Sequence, residues 1–385
     1  MSQFLKIIAF IYVVTLFSCN EEKSATISGN IKGLGNDTIK VIVIPFSDNP
    51  SIVDTIVSKN GKFSIENKAN EPSTIRIFAN SMFFKRPGGR TLWMRSKMIN
   101  FYSMPHEHIE ITGKMYDYSV EYSVIGNNLA EQFSAFKIDN LLLLEDETKT
   151  YIELMKRQFE KASRSEIDSL NQRFGEIRNH YTQVRFDYAK NNPKNELSAI
   201  FLGYQYRDQE IDTIIKYYDL LSDEVKNTWH GRKLAKRIDG WRRIKIGNKA
   251  PDFTAKLITG DTLKLSDYYG KYLVLDFWGS WCGPCIAGFP KMKEYYQKYK
   301  DKIEIIGIAC NDEKNDWSNA VKNYGINWLH TLNDNEYLSI NIEETYAIEG
   351  FPTKILVNEK GEIEGIFVGE YEDFYKKLDN LFYEE

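Results

Sequence analysis

Two cysteines separated by two residues, Cys282 and Cys285, are the residues whose types and spacing point most directly to chemistry. The segment Tyr272–Trp278 before them is a short apolar run with one acid inside it. The residues that follow, up to Lys300, carry apolar side chains at helical spacing. The sequence therefore predicts a buried strand that leads into a helix whose first turn holds both thiols.

A thiol at the start of a helix is set up for thiol-disulfide exchange. The helix dipole and the unpaired backbone N–H groups favour a negative charge there, so we predict that Cys282 is the attacking thiolate. Cys285 lies one turn further on and is predicted to close a redox-active disulfide with Cys282, which releases the reduced partner. The alternative is half of a structural zinc site, which needs four ligands, and the chain has no second pair with this spacing.

Asp276 is the acid inside the predicted strand, six residues before Cys282. Burial disfavours a charged carboxylate, so its pKa should be raised. A carboxylate with a raised pKa is a plausible acceptor for the proton of the Cys285 thiol as that sulfur attacks. The alternative is a carboxylate that only satisfies a neighbouring hydrogen bond. We predict the catalytic role.

The length and composition indicate a chain of more than one domain. It has 385 residues, which is too long for one ordinary domain, and 42% of them are hydrophobic, which is enough for real cores. The net charge of −4 gives no sign of nucleic-acid binding. With four cysteines the chain is not a disulfide-stapled scaffold, and Cys310, at the end of a predicted buried strand, is expected to be an inert thiol.

Residues 1–19 are predicted to be a targeting segment. Lys6 precedes the apolar run Ile7–Phe17, which is too short to span a bilayer. The segment ends in Leu16-Phe17-Ser18-Cys19, which resembles a bacterial lipoprotein signal in which Cys19 becomes the lipidated N-terminus. The alternative is an ordinary signal peptide cut nearby, and both place the mature protein outside the cytoplasm.

The remaining chain is predicted to form three parts. Residues 20–115 form a small β-sandwich-like domain, with a hairpin turn at Asn60-Gly61 and a last strand near 108–112. Residues 116–245 form a helical region that begins at Val120. In residues 246–385, strands alternate with helices and a hairpin closes the series, which predicts a mixed sheet covered on both faces.

The last 140 residues or so resemble a known family. Trp281-Cys282-Gly283-Pro284-Cys285 is the active-site sequence of thioredoxins. The surrounding motifs, Gly247–Phe253, Leu265–Tyr268 and Gly350–Thr353, resemble the extracytoplasmic TlpA/ResA-type thiol-disulfide oxidoreductases in their order and sequence. The resemblance implies a thioredoxin-like fold for this part, preceded by the β-sandwich and the helical segment of a secreted lipoprotein.

The resemblance also assigns roles to residues around the dithiol. Pro352 should follow a cis bond and face the cysteines, so that the backbone of Phe351 can pair with an extended client. Trp281 should form an exposed apolar rim, and Gly283 and Pro284 should complete the client-binding surface. Asp276 occupies the position of the buried acid of thioredoxins. Gly288 departs from the family, in which many members carry Glu three residues after the second cysteine.

Together these features predict a membrane-anchored reductase of disulfides in envelope proteins. Gly-Pro between the cysteines resembles the reducing thioredoxins, and a reductase outside the cytoplasm implies a membrane-embedded thiol donor. We expect no cofactor, no metal and no nucleic acid partner. The predicted location is the envelope of a Gram-negative-type bacterium, lipid-anchored and facing the periplasm, with display on the cell surface as an alternative. The alternative functions are a binding lipoprotein with an accessory redox domain and a peroxiredoxin-type peroxidase.

Overall fold

The computed structural model of the chain describes residues 25–47, 49–85, 89, 91–203 and 211–383. The predicted lipidation site Cys19 lies outside these residues. The chain separates into two compact units, residues 1–183 and 184–385. None of the helices in the described ranges is both long enough and apolar enough to cross a membrane. The predicted four-part division of the chain stays a prediction.

The N-terminal unit contains two four-stranded sheets that share one core of alternating side chains. One sheet has the order β10-β9-β1-β4 and the other β3-β2-β5-β8, with β6 and β7 as a separate ribbon. The strands are β1 (Thr26–Lys32), β2 (Thr38–Pro45), β3 (Ile52–Val57), β4 (Lys62–Glu66), β5 (Ser73–Ala79), β6 (Phe83–Lys85), β7 (Thr91–Trp93), β8 (Ile99–Ser103), β9 (Ile109–Met115) and β10 (Val120–Ile125). This is the predicted β-sandwich.

The structure confirms one local prediction in this unit and corrects another. The hairpin turn at Asn60-Gly61 forms, with positive φ at both residues and an antiparallel bridge between Lys59 and Lys62. The strands that it joins lie in different sheets, because β3 pairs with β2 and β4 pairs with β1. The sequence also predicts helix from Val120, whereas residues 120–125 form β10, antiparallel to β9. Its side chains alternate between buried and exposed, as in a strand. The pattern covers only six residues and is followed directly by a long helical pattern, so the sequence did not reveal it.

The helical segment follows the sandwich. Its first two helices are separate, because the backbone of Asn140 between them leaves helical geometry. The helices are α1 (Asn128–Asp139), α2 (Leu141–Phe159), α3 (Arg164–Asn191), α4 (Glu196–Gly203), α5 (Ile211–Leu220), α6 (Asp223–Lys226) and α7 (Trp229–Arg243). The Asn127 side chain accepts the Ala130 N–H and fixes the start of α1.

The last part of the C-terminal unit is a five-stranded mixed sheet with the order β15-β14-β13-β16-β17. The pairs β13–β14 and β14–β15 are parallel, whereas β13–β16 and β16–β17 are antiparallel. The elements are β11 (Thr254–Lys256), β12 (Thr262–Lys264), β13 (Tyr272–Trp278), α8 (Gly283–Tyr299), β14 (Ile303–Ala309), α9 (Lys314–Asn323), β15 (Leu329–Leu332), α10 (Ile342–Thr345), β16 (Thr353–Val357), β17 (Ile363–Val368) and α11 (Glu372–Phe382).

The central strand β13 is buried on both faces, as its apolar sequence predicts. Val274 and Trp278 point into the core that holds α8, whereas Leu273 and Phe277 point into the core on the other face. Because successive side chains of a strand alternate, Asp276 belongs to the face that α8 covers. The predicted fold class, a thioredoxin-like α/β domain preceded by a β-sandwich and a helical segment, is confirmed.

Candidate active site

Cys282 and Cys285 lie where the sequence predicts them, at the turn from β13 into α8. Cys282 is the residue that caps α8, and its sulfur accepts the backbone N–H of Cys285 at 3.3 Å. The two sulfurs are joined in a disulfide, with Cα atoms 5.3 Å apart. Pro284 lies in the first turn of α8, where a residue without an N–H costs no hydrogen bond. The arrangement is an oxidised dithiol at the positive end of a 17-residue helix.

Trp281 forms the exposed rim that the sequence predicts. Its side chain is 55% exposed, and its ring meets the Phe351 ring edge to face with centroids 5.4 Å apart. The indole Nε1–H donates to the Cys310 carbonyl at 3.1 Å, which fixes the ring beside the disulfide. An exposed, anchored indole packed against a partly buried aromatic ring provides an apolar surface next to a sulfur.

The turn that carries Trp281 is held by Asp312, a residue that the sequence analysis did not select. The Ser280 N–H and hydroxyl donate to the two Asp312 carboxylate oxygens at 2.6 and 2.7 Å. Asp312 follows β14, and β13 and β14 are parallel, so their C-terminal ends meet at the same edge of the sheet. A polar residue just after the neighbouring strand was the signal that could have identified it.

Pro352 is buried and follows a cis peptide bond from Phe351, as the resemblance implies. The Pro352 carbonyl accepts the Gly369 N–H at 2.7 Å, and the Thr353 hydroxyl donates to the Gly350 carbonyl at 2.7 Å. The first bond ties the loop to the residue after β17, and the second closes the loop around Phe351. In the described part of the chain, no hydrogen bond joins the backbone of Phe351 to another residue, so its polar groups are available to an extended client.

Asp276 is 2% exposed and lies beneath the dithiol. Asp276, Cys285 and Pro352 line one small space, which is too narrow to hold a water molecule. Burial raises the pKa of the Asp276 carboxyl, the Lys354 ammonium lowers it, and the Glu370 carboxylate raises it again. The raised pKa is the property that a proton acceptor for the Cys285 thiol requires.

Lys354 and Glu370 complete this group, and neither was predicted from the sequence. Lys354 lies opposite Asp276 in the pairing of β13 with β16 and is 3% exposed. Its Nζ is 2.5 Å from Glu370 Oε2 and 3.7 Å from Asp276 Oδ1. The signal was present in the sequence, because a lysine inside a strand that is otherwise apolar needs a carboxylate partner when it is buried.

Cys310 is buried, as predicted, at the end of β14. Burial raises the pKa of its thiol well above the usual value, and the neighbouring Glu343 carboxylate raises it further. A thiol without access to solvent and without thiolate character is unreactive at neutral pH. Among the described residues, no group of three or more histidines, cysteines or acids is arranged to hold a metal ion.

Comparison with known proteins, like the geometry of the dithiol, indicates a thioredoxin-like thiol-disulfide oxidoreductase. Residues 270–363 match the thioredoxin-like family, and residues 25–133 match a domain of unknown function, DUF4369. The thiol-disulfide oxidoreductase ResA of Bacillus thuringiensis is 32% identical over 142 residues, which are 35% of this chain and 80% of that protein. This chain belongs to the ResA family of thiol-disulfide oxidoreductases.

Further relatives resemble part of this ResA-family protein. ResA of Bacillus subtilis is 31% identical over 131 residues, covering 34% of this chain and 71% of that protein. Among solved structures, the thioredoxin domain of a thiol-disulfide oxidoreductase from Bacteroides vulgatus is 28% identical, with 36% of this chain and 97% of that chain covered and a TM-score of 0.33. The predicted family and the predicted enzyme class, a thiol-disulfide oxidoreductase, are confirmed.

Proposed function

We propose that this oxidoreductase reduces disulfides of client proteins in the cell envelope, where a lipid on Cys19 anchors it to a membrane. The observation that carries the proposal is the Cys282–Cys285 pair at the start of α8, beside the apolar rim formed by the exposed Trp281 and the partly buried Phe351. A dithiol at a helix start next to an apolar rim fits a protein client. The leader that ends at Cys19 supports the location.

The reaction follows from the positions of the sulfurs. In the reduced protein, the Cys282 thiolate attacks one sulfur of a client disulfide, so that the client S–S bond breaks and a mixed disulfide forms. The second client sulfur leaves as a thiolate and takes up a proton. The Cys285 thiol gives its proton to Asp276 and attacks Cys282, which releases the other client thiolate and forms the Cys282–Cys285 disulfide. Two electrons pass to the client.

The protein must then be reduced again. A dithiol donor supplies two electrons by the same exchange in reverse, and its own thiols become a disulfide. Because the proposed location lies outside the cytoplasm, we propose a membrane-embedded thiol donor. The direction from the protein to the client is supported by Gly283-Pro284 between the cysteines, the dipeptide of the reducing thioredoxins that this chain resembles.

The reduction potential of the Cys282–Cys285 pair tests the direction. It is measured in the full chain by equilibration with glutathione or dithiothreitol, with Cys310→Ala as the control for the third thiol. A potential near about −270 mV, at the thioredoxin end of the scale, supports a reductase. A potential near about −120 mV means that the pair makes disulfides in its clients, which contradicts the proposed direction.

A trapping experiment tests the client class. In cells, the Cys285→Ala variant should hold client proteins on Cys282 as mixed disulfides that dithiothreitol releases. The Cys282→Ala/Cys285→Ala variant is the control and should hold none. Partners retained equally by the double variant would favour a binding lipoprotein, and peroxide turnover that depends on Cys282 would favour a peroxidase. Incorporation of labelled fatty acid that Cys19→Ala abolishes would support the anchor.

A further inference from the structure

Three charged side chains from three separate segments meet beneath the disulfide. Asp276 comes from β13, Lys354 from β16 and Glu370 from the turn between β17 and α11. The side chains of Asp276 and Lys354 are 3% and 4% exposed, whereas that of Glu370 is 19% exposed. One cation is thus shared by two carboxylates, and the carboxylate nearer to solvent holds it more closely.

Both oxygens of Glu370 have a partner. Oε2 accepts from the Lys354 ammonium at 2.5 Å, and Oε1 accepts from the Tyr375 hydroxyl at 2.5 Å. In contrast, Oδ1 of Asp276 is buried without a hydrogen bond and lies 3.7 Å from the ammonium. Glu370 therefore holds Lys354 at ion-pair distance from itself and beyond hydrogen-bond distance from Asp276.

The helix that carries the dithiol leaves room for the Glu370 carboxyl group. A Cβ atom at Gly288 would lie 2.4 Å from Glu370 Cδ and 2.5 Å from Oε2. These distances are shorter than van der Waals contact, so any side chain at position 288 would displace the Glu370 carboxylate. Gly288, Glu370 and Lys354 line the same small space as Asp276 and Cys285. The Glu370 carboxylate therefore occupies the space that the absence of a side chain at Gly288 leaves open.

We propose that Glu370 is a positioning residue for the dithiol reaction, which keeps Asp276 basic by drawing the Lys354 ammonium away from it. If Lys354 paired closely with Asp276, the ammonium would stabilise the carboxylate and make it a poor acceptor for the Cys285 proton. With the ammonium held on Glu370, Asp276 accepts that proton when Cys285 attacks Cys282 and returns it to the Cys285 thiolate when the disulfide is reduced again. The proposal rests on the predicted role of Asp276 as proton acceptor.

Among the residues that the structure describes, five charged or titratable groups surround Asp276, from the elements packed against it. They are Lys354 from β16, Glu370 from the turn before α11, Tyr375 from α11, Cys285 from α8 and Cys310 after β14. In the oxidised protein Cys285 does not titrate, and the Cys310 and Tyr375 pKa values are raised far above neutrality by burial. Lys354 and Glu370 are therefore the charges that act on Asp276 near neutral pH.

The test measures the Asp276 pKa in the oxidised full chain by carboxyl ¹³C NMR. Glu370→Gln should lower this pKa by about one unit, because Lys354 is released toward Asp276. Lys354→Met should raise it by about one unit or more, because the cation is lost and the Glu370 charge is left unopposed. Glu372→Gln is the matched control, since it removes an equal charge two residues away at an exposed site, and it should shift the pKa little.

Shifts of opposite sign support the proposal, whereas no shift in Glu370→Gln, or shifts of the same sign, overturn it. If Lys354→Met does not fold, Gly288→Ala replaces it: the new Cβ displaces the Glu370 carboxylate without changing any charge, and it should lower the Asp276 pKa as Glu370→Gln does. An unchanged pKa in Gly288→Ala would also contradict the proposal. The NMR titration is independent of the direction in which the enzyme works.

The pH dependence of client reduction gives the second readout. The rate should rise as Asp276 ionises, so its midpoint should move to lower pH in Glu370→Gln, by about the same amount as the Asp276 pKa. A merely structural role for Glu370 would lower the rate at all pH values and leave the midpoint in place. A pKa shift by NMR without a midpoint shift would overturn the role of Asp276 as the acceptor, and with it this inference.

Discussion

Both units contain buried lysines, and two of them, Lys137 and Lys354, differ in whether a carboxylate lies nearby. Lys137, on α1 of the N-terminal unit, is 5% exposed; its Nζ lies 4.6 Å from the centre of the Tyr122 ring and donates to the Met98 carbonyl. Across the described residues, no carboxylate lies within ion-pair distance of it, and burial lowers its pKa to about 7. Lys354 of the C-terminal unit lies between two carboxylates.

The two lysines show separately how burial and how charge pairing affect a buried ammonium group. Burial alone pushes a lysine toward its neutral form, and the hydrogen bond to a carbonyl and the aromatic ring then suffice to hold Lys137. A buried lysine between carboxylates keeps a local charge that acts on its neighbours. The first arrangement serves packing, whereas the second sets the proton affinity of Asp276 next to the dithiol. The same residue type thus has a structural role in one unit and an electrostatic role in the other.

The largest expected effect is that of Lys354→Met. Removing the cation leaves the buried Asp276 carboxylate and the partly exposed Glu370 carboxylate uncompensated, so the C-terminal unit should lose about 3–5 kcal/mol of its unfolding free energy near pH 8. Native-state hydrogen exchange of the β13 and β16 amides measures this loss within the unit. The loss should shrink at lower pH, where a carboxyl group takes up a proton. Lys354→Met/Glu370→Gln should recover part of the stability, and equal losses in both variants would contradict the pairing.

The wild type should also gain stability relative to Lys137→Met as the pH rises, but here the titrating group is the lysine itself, from about pH 7 upward. The folded pKa is about 7 and the unfolded value 10.5, so between these values the unfolded state binds more protons and wild-type stability rises with pH. Relative to Lys137→Met, the wild type should gain about 2–3 kcal/mol between pH 7 and pH 9. Chemical unfolding at each pH checks this. A difference that does not change with pH would mean that Lys137 stays charged in the folded protein.

His330 tests whether Lys137 and Lys354 differ because they lie in different units or because only Lys354 has carboxylate partners. It is buried in the same unit as Lys354, and burial lowers its pKa from 6.5 to about 3. Below pH 6.5 the unfolded state binds the proton and the folded state does not, so stability should fall by about 1.4 kcal/mol per pH unit. Between pH 6.5 and pH 5.5, His330→Phe should lose about 1 kcal/mol less than the wild type. Equal losses would refute a neutral buried His330.

The smallest expected effect compares two helix glycines. A Cβ at Gly175 on α3 meets no atom within 4 Å, so Gly175→Ala should gain about 0.5–1 kcal/mol from helix propensity. Gly288→Ala should lose this gain, because its Cβ meets the Glu370 carboxyl group. Thermal unfolding of both variants measures the difference. A comparable gain in both would mean that the Glu370 carboxylate moves aside freely.

The sequence predicted those parts of the site that depend on neighbouring residues. The apolar run of β13, the two-residue spacing of the cysteines and the helical period of α8 are local patterns, and the structure has each element at the predicted place. The same holds for the hairpin β16–β17. Local patterns also predicted the turn at Asn60-Gly61, but the sheet to which each flanking strand belongs depends on distant partners.

The sequence by itself therefore determined the chemistry of this protein: a dithiol at a helix start, a buried acid on the preceding strand and a proline loop. Only the tertiary structure decided how that acid is tuned. Asp276, Lys354 and Glu370 are far apart along the chain and meet because β13 pairs with β16 and the end of β17 returns beneath α8. Charges interact through space, and their effect on a pKa is set by distances and burial that folding alone creates.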